Sequence, residues 1–284
     1  MSAGILANLL DKLRRGLVDR KILTKLALAS SNTRKVDFVI AGAQRCGTSA
    51  LNYQLRYNPD ICTAFRKEVH FFDDEDNFRD GRADYSLYHS FFNPTAQHKV
   101  LGEATPSYMY WLPIPRRLWE YNPGLKLIIV LRNPITRAFS AWNMRRTKGQ
   151  EDLPFWDALQ AESERLRRQL PLQDKRHSYV DMGHYLCQLR RLWTFFPREQ
   201  CLILKHDDFK NDALSVLNRI AGFLNVAPFA SAKSVEYNSK PYAAEMSERE
   251  RTHLHSIFQL EIRALERELG WDCSNWLKDE RRTD

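Results

Sequence analysis

No run of apolar residues in the sequence approaches the roughly 18 that a membrane-spanning helix needs. The first segment has no secretory pattern either, because Asp11, Lys12, Arg14 and Arg15 interrupt its apolar residues. Cysteine is sparse and unpatterned. Cys46, Cys62, Cys187, Cys201 and Cys273 are odd in number and contain no CxxC pair, which speaks against a disulfide framework and a structural zinc site. Free thiols without a leader point to a reducing, cytoplasmic setting. Glycine and proline, at 11 and 12 of 284 residues, are too few for a fibrous or disordered chain. No internal repeat, low-complexity tract, RNA-binding pattern or helix-turn-helix pattern is present, and the basic residues are dispersed, so a nucleic-acid partner is not expected.

What remains is an ordinary globular composition, 43% apolar and 27% charged, with a net charge of +8. That charge suits anionic ligands or surfaces. Residues 3–28 place leucine and isoleucine at helical spacing opposite mostly basic residues. They predict an amphipathic extension over 1–30, either packed on the domain or a partner, or lying on an anionic membrane as a peripheral contact. After the polar linker from Ser30 to Lys35, residues 36–284 read as a single domain. Short apolar runs begin at VDFVIAG, KVLGEATP, LKLIIVLR and CLILKHDDF. Helical patterns lie between or after them, over 114–121, from Pro134 to Thr147, Pro154 to Leu170, Tyr185 to Phe196, Ala213 to Leu224 and Ser247 to Leu269. The alternation predicts an α/β fold, a parallel sheet flanked by helices on both faces. Ser247 with Glu250 three residues on is a capping box for the last helix.

Three stretches carry chemistry. Gly42, Ala43, Gln44, Arg45, Cys46, Gly47, Thr48 and Ser49 form a glycine-bounded loop between a strand and a helix. Such a loop turns backbone N–H groups and a helix start toward one anion. Its spacing imitates a nucleoside-triphosphate loop, but Thr48 stands where that motif needs lysine, which disfavours an ATPase or GTPase. In KEVHFF, Lys67, Glu68 and His70 adjoin Phe71 and Phe72. The group is either a salt-bridged edge strand or a base site, with Glu68 or His70 taking a proton. In LRNPITRAFSAW, Arg132 ends the strongest strand and Ser140 lies two turns into the next helix, so the pair can grip one phosphate. Arg137 is either a third contact or a partner of surface acids.

Together FVIAGAQRCGTSAL, KEVHFFD, GEATPSY and IIVLRNPITRAFSAW resemble the sulfotransferases that use 3'-phosphoadenosine 5'-phosphosulfate (PAPS), in particular the heparan sulfate N- and 3-O-sulfotransferase branch, from Val36 to Trp276. The resemblance implies the P-loop-like sulfotransferase fold, PAPS as the sulfate donor and no metal. It places the 5'-phosphosulfate on Gly42 to Ser49, the 3'-phosphate on Arg132 and Ser140, a further phosphate contact at Lys240 in NSKPY, and the catalytic glutamate at Glu68. Arg45 stands where the family carries lysine at the bridging oxygen, and Ala104 follows Glu103 where heparan-type enzymes carry another lysine. The implied reaction moves a sulfuryl group to a hydroxyl of a small-molecule or saccharide acceptor. N-sulfation of an amine, a P-loop kinase and a catalytically silent nucleotide-binding protein are the alternatives.

Overall fold

The most continuous apolar runs become the buried strands. In the computed structural model, which describes residues 32–79, 81, 83–233 and 244–277, β1 (Phe38–Gly42) is buried at every position, and β4 (Lys126–Leu131) at every position after its first. The N-terminal extension expected over 1–30, and Lys240, lie outside the described residues. With β2 (Ile61–Thr63), β3 (Val100–Ala104) and β5 (Cys201–Lys205) they form one parallel sheet in the order β2-β3-β1-β4-β5. The predicted parallel sheet is therefore present. β2 was not anticipated: three residues are too few to show a period. The KEVHFF stretch, one reading of which was an edge strand, forms no strand.

The flanking helices are α1 (Thr48–Leu55), α2 (Tyr85–His89), α3 (Ile114–Tyr121), α4 (Pro134–Thr147), α5 (Phe155–Gln169), α6 (Tyr185–Trp193), α7 (His206–Asn211), α8 (Ala213–Leu224), α9 (Glu248–Leu269) and α10 (Ser274–Leu277). Pro134 opens α4, where its missing N–H costs nothing, and the Asn133 side chain caps the turn by accepting from Ile135 N. The Ser247–Glu250 capping box of α9 is formed in both directions.

The core lies on and around the sheet. Phe38, Val39, Ile40, Leu127, Ile128 and Ile129 are wholly excluded from solvent. The Phe38 ring occupies the space that a side chain at Gly102 on the neighbouring strand would need, coming within 2.1 Å of where its Cβ would be. Beside the sheet an aromatic cluster forms: Phe72 meets Tyr108 edge-on at 5.7 Å between centroids, and Tyr88 at 5.0 Å. Tyr108 OH also accepts from Phe71 N at 3.1 Å. The Phe71-Phe72 end of KEVHFF is thus pinned from below by packing and hydrogen bonds, and that pinning helps position the site above.

Candidate active site

Four adjacent strands, β3, β1, β4 and β5, end on the same side of the sheet, and their following segments meet there. Ligands of open α/β sheets gather at such carboxyl ends. A cleft of about 670 Å³ lies at this edge, lined by Gln44, Arg45, Gly47, Thr48 and Ser49 after β1, Pro106 after β3, Arg132 and Ser140 after β4, and His206 after β5, with Glu68 and Arg145 at its rim. Of the sequence-predicted residues, Glu68, Arg132, Ser140 and most of the loop after β1 therefore share one cavity, whereas Lys67 and His70 adjoin Glu68 without lining it. Gly42, Ala43 and Cys46 form the buried side of the loop instead.

The loop after β1 is built for close backbone approach. Gly47 takes φ 84 and serves as the N-cap of α1, with no side chain capping the helix and no acid in its first turn. The first N–H groups of α1 thus keep their positive potential for an anion. A Cβ at Gly47 would come 2.8 Å from the His206 ring, so only glycine fits in both conformation and space. Arg45 stands at φ 67 and its Nε donates to Ser140 Oγ at 3.1 Å. This bond ties the loop after β1 to α4. Arg132 Nε donates to Thr136 Oγ1 at 3.0 Å.

Glu68 sits in a row of alternating charges. Lys67 Nζ lies 2.5 Å from Glu68 Oε1, and His70 Nε2 lies 3.5 Å from Glu68 Oε2. On the other side of the ring, His70 Nδ1 lies 3.0 Å from Asp73 Oδ2, which accepts from Ser107 Oγ at 2.8 Å and has Lys175 Nζ at 3.4 Å. Lys175 is fixed in turn by the Trp111 ring, 4.1 Å below its ammonium. Burial alone would raise the Asp73 carboxyl, but His70, Lys175 and Ser107 hold it below its ordinary value. Burial would lower His70, yet the Asp73 and Glu68 carboxylates push it up to about 9. Burial would likewise raise Glu68, and the His70 hydrogen bond with the Lys67 charge brings it down to about 2. The carboxylate is ionised and held at both oxygens, while its side chain remains 43% exposed to the cleft.

The backbone under this row is strained. Glu68 and His70 stand at φ 58 and 55, in the left-handed region that non-glycine residues rarely enter. Glu68 N donates to Ala104 O at 3.0 Å, which ties this stretch to the end of β3. Strain of this kind persists where surroundings over-determine it, and it clusters at functional sites.

Asp73, Lys175, Arg145 and His206 were not picked out from the sequence. Asp73 carried a usable signal, since it follows His70 by three residues. Lys175 carried none, because a distant segment brings it in, whereas Arg145 lies on α4, five residues beyond Ser140, and was passed over as one of several basic residues at the end of that helix. Arg137 was read as a phosphate contact or a surface pair and is neither: it is fully buried, with one bond from Nη2 to Tyr179 O.

A family model for the sulfotransferase domain matches residues 35–265. The chain belongs to the sulfotransferase family. Among curated relatives, the chain is 31% identical to the human heparan sulfate glucosamine 3-O-sulfotransferase 6 over 216 residues, covering 75% of this chain and 59% of that protein. It is 29% identical to the mouse heparan sulfate glucosamine 3-O-sulfotransferase 3A1, covering 70% of this chain and 48% of that one. The chain thus spans roughly half the length of these relatives. The crystal structure of a sulfotransferase from Alicyclobacillus acidocaldarius superposes with a TM-score of 0.75 at 28% identity, covering 87% of this chain and 100% of that chain. A mouse sulfotransferase complexed with PAP shares the fold at a TM-score of 0.54 and 13% identity, covering 89% of this chain and 93% of that one. The P-loop-like sulfotransferase fold expected from the sequence is the fold observed.

Proposed function

We propose that this sulfotransferase moves the sulfuryl group of PAPS to a hydroxyl of a saccharide or other small acceptor, with Glu68 as the general base. The observation that carries the reading is the convergence in one cleft of an uncapped helix start, Arg45, Arg132, Ser140 and an ionised carboxylate. The first four of these features suit a ligand with phosphates at two ends, and the fifth suits a hydroxyl beside it. The cleft has room for a nucleotide, and Gly47 leaves the backbone bare where a phosphate would approach.

When bound, PAPS supplies an activated sulfuryl group and leaves as 3'-phosphoadenosine 5'-phosphate (PAP). In this reading Gln44 to Ser49 hold the 5' end through backbone N–H groups and hydroxyls, and Arg132 with Ser140 holds the 3'-phosphate. As the acceptor oxygen bonds to sulfur, its proton passes to the Glu68 carboxylate. The electron pair of the breaking S–O bond goes to the departing bisphosphate, and Arg45 stabilises the charge that builds there. Arginine does this by hydrogen bonding alone, because it does not release a proton near neutral pH. Lys67 and His70 hold Glu68 in place. His70 is already protonated at neutral pH and has no lone pair to offer, which favours Glu68 over His70 as the proton acceptor.

Calorimetry with PAP and AMP tests the donor site. PAP is expected to bind at least about tenfold tighter, and Arg132→Ala to cost PAP about 2 to 5 kcal/mol, the scale for breaking a desolvated charge pair. Equal affinity for the two nucleotides removes the 3'-phosphate assignment. Incubation with PAPS and a panel of saccharides, followed by mass spectrometry, tests the transfer itself.

A further inference from the structure

Tyr185, the first residue of α6, is fully buried and takes no part in the proposed chemistry. Its hydroxyl lies 3.0 Å from the carbonyl oxygen of Arg132 and 3.8 Å from Cys46 Sγ. A carbonyl oxygen only accepts, so the phenolic proton points at Arg132. The thiol is then the donor in the sulfur contact, sharing its proton with Gln44 O at 3.7 Å. Burial pushes the Cys46 thiol up, which keeps that proton in place. The result is a directed chain, Cys46 to Tyr185 to Arg132, joining the loop after β1 to the segment after β4 from behind.

The phenol is anchored from α9 as well, and Pro134 at the start of α4 also lies against Gly183. Leu186 N donates to Glu261 of α9 at 2.7 Å. The Phe258 ring of α9 fills the space beside Gly183, 2.5 Å from where a Cβ would lie. The outer helices thus hold the hydroxyl at a set place, and the two segments are registered against it. On the proposed nucleotide reading, these segments hold opposite ends of one ligand. We infer that Tyr185 is a positioning residue that sets the spacing between the 5' and 3' phosphate sites, a role that rests on that reading. A ligand that engages both segments feels the spacing, whereas one that engages a single segment does not.

The test is calorimetry on Tyr185→Phe, which keeps the ring and removes the hydroxyl. The dissociation constant for PAP is expected to rise about tenfold, the scale of one buried hydrogen bond, and that for AMP to change by less than about twofold. In steady state the KM for PAPS should rise while kcat stays within about threefold, because the reacting groups are untouched. Thermal melting of the ligand-free variant establishes that it is folded. Should Tyr185→Phe fail to fold, Cys46→Ala trims only the thiol arm, and a selective loss of about threefold on PAP is expected. Equal weakening of PAP and AMP in a folded variant, or no weakening of either, overturns the inference. Arg132→Ala separates the two levels. If it leaves PAP binding unchanged, the nucleotide reading fails and this inference falls with it. If it weakens PAP selectively while Tyr185→Phe does not, only the role of Tyr185 is lost.

Discussion

Glu68 presents a carboxylate that is both open to the cleft and tied down at each oxygen. Glu68→Gln keeps the length and much of the hydrogen bonding but cannot take a proton. Turnover should fall about 100-fold or more, while PAP affinity and the circular dichroism spectrum stay unchanged. A variant with normal turnover would place the base elsewhere. The pH profile of kcat/KM follows from the same row of charges. It should be flat between the Glu68 value of about 2 and the His70 value of about 9, then fall as His70 loses the proton with which it holds Glu68. His70→Asn removes the alkaline limb. It also takes away a hydrogen bond that depresses Glu68, so the acidic limb should move upward. A profile that does not shift in this variant would separate His70 from Glu68. Glu68, Arg45, Arg132 and Ser140 were legible in the sequence because each lies within a short motif whose neighbours set its backbone. Lys175 was not, since its partner Asp73 is reached only through the fold.

The connection from α4 to α5 rests on one buried carboxylate. Glu151 receives Arg165 at 2.5 Å and 3.0 Å through two guanidinium nitrogens and the Tyr179 hydroxyl at 2.8 Å, with its side chain 1% exposed. Arg165→Met leaves that charge uncompensated and should lower unfolding stability by about 3 to 5 kcal/mol in a denaturant titration. An effect under about 1 kcal/mol would mean that water replaces the guanidinium. The acid side has a definite sign. Burial would raise the Glu151 carboxyl, but Arg165, Leu153 N and Tyr179 depress it to about 2. Its stabilisation is therefore full above the unfolded value of about 4.3 and disappears as the pH falls through about 2. Helices with strong end signals were the easiest elements to read: α9 starts at its capping box and α4 at its proline. α6 was expected to reach Phe196 and stops at Trp193, where the apolar pattern runs on into a packed turn. The KEVHFF stretch misled in one respect, because residues that favour strands are here held in a loop by Tyr108 and Ala104.

At the scale of the molecule, the described domain is secured near its first described residues by side chains. Asn32 donates to His89 O at 3.1 Å, and Arg34 reaches His98 O and Lys99 O at 2.9 Å each. Removing residues 1–30 should leave the melting temperature and PAP affinity within experimental scatter. A truncated protein that folds but no longer binds PAP would make the extension part of the site. The order of the strands has a further consequence, for the making of the protein. β1 leaves the ribosome first, yet its neighbours β3 and β4 pair at Gly102 and Lys126, and β5 joins β4 only at Cys201. At about 5 to 20 residues per second, a nascent Phe38–Ala41 segment waits several seconds with both edges and its apolar surface open. The part of the chain that ends as the most protected strand begins as its most exposed, so yield in the cell should depend more on chaperone supply during translation than on the stability of the finished fold.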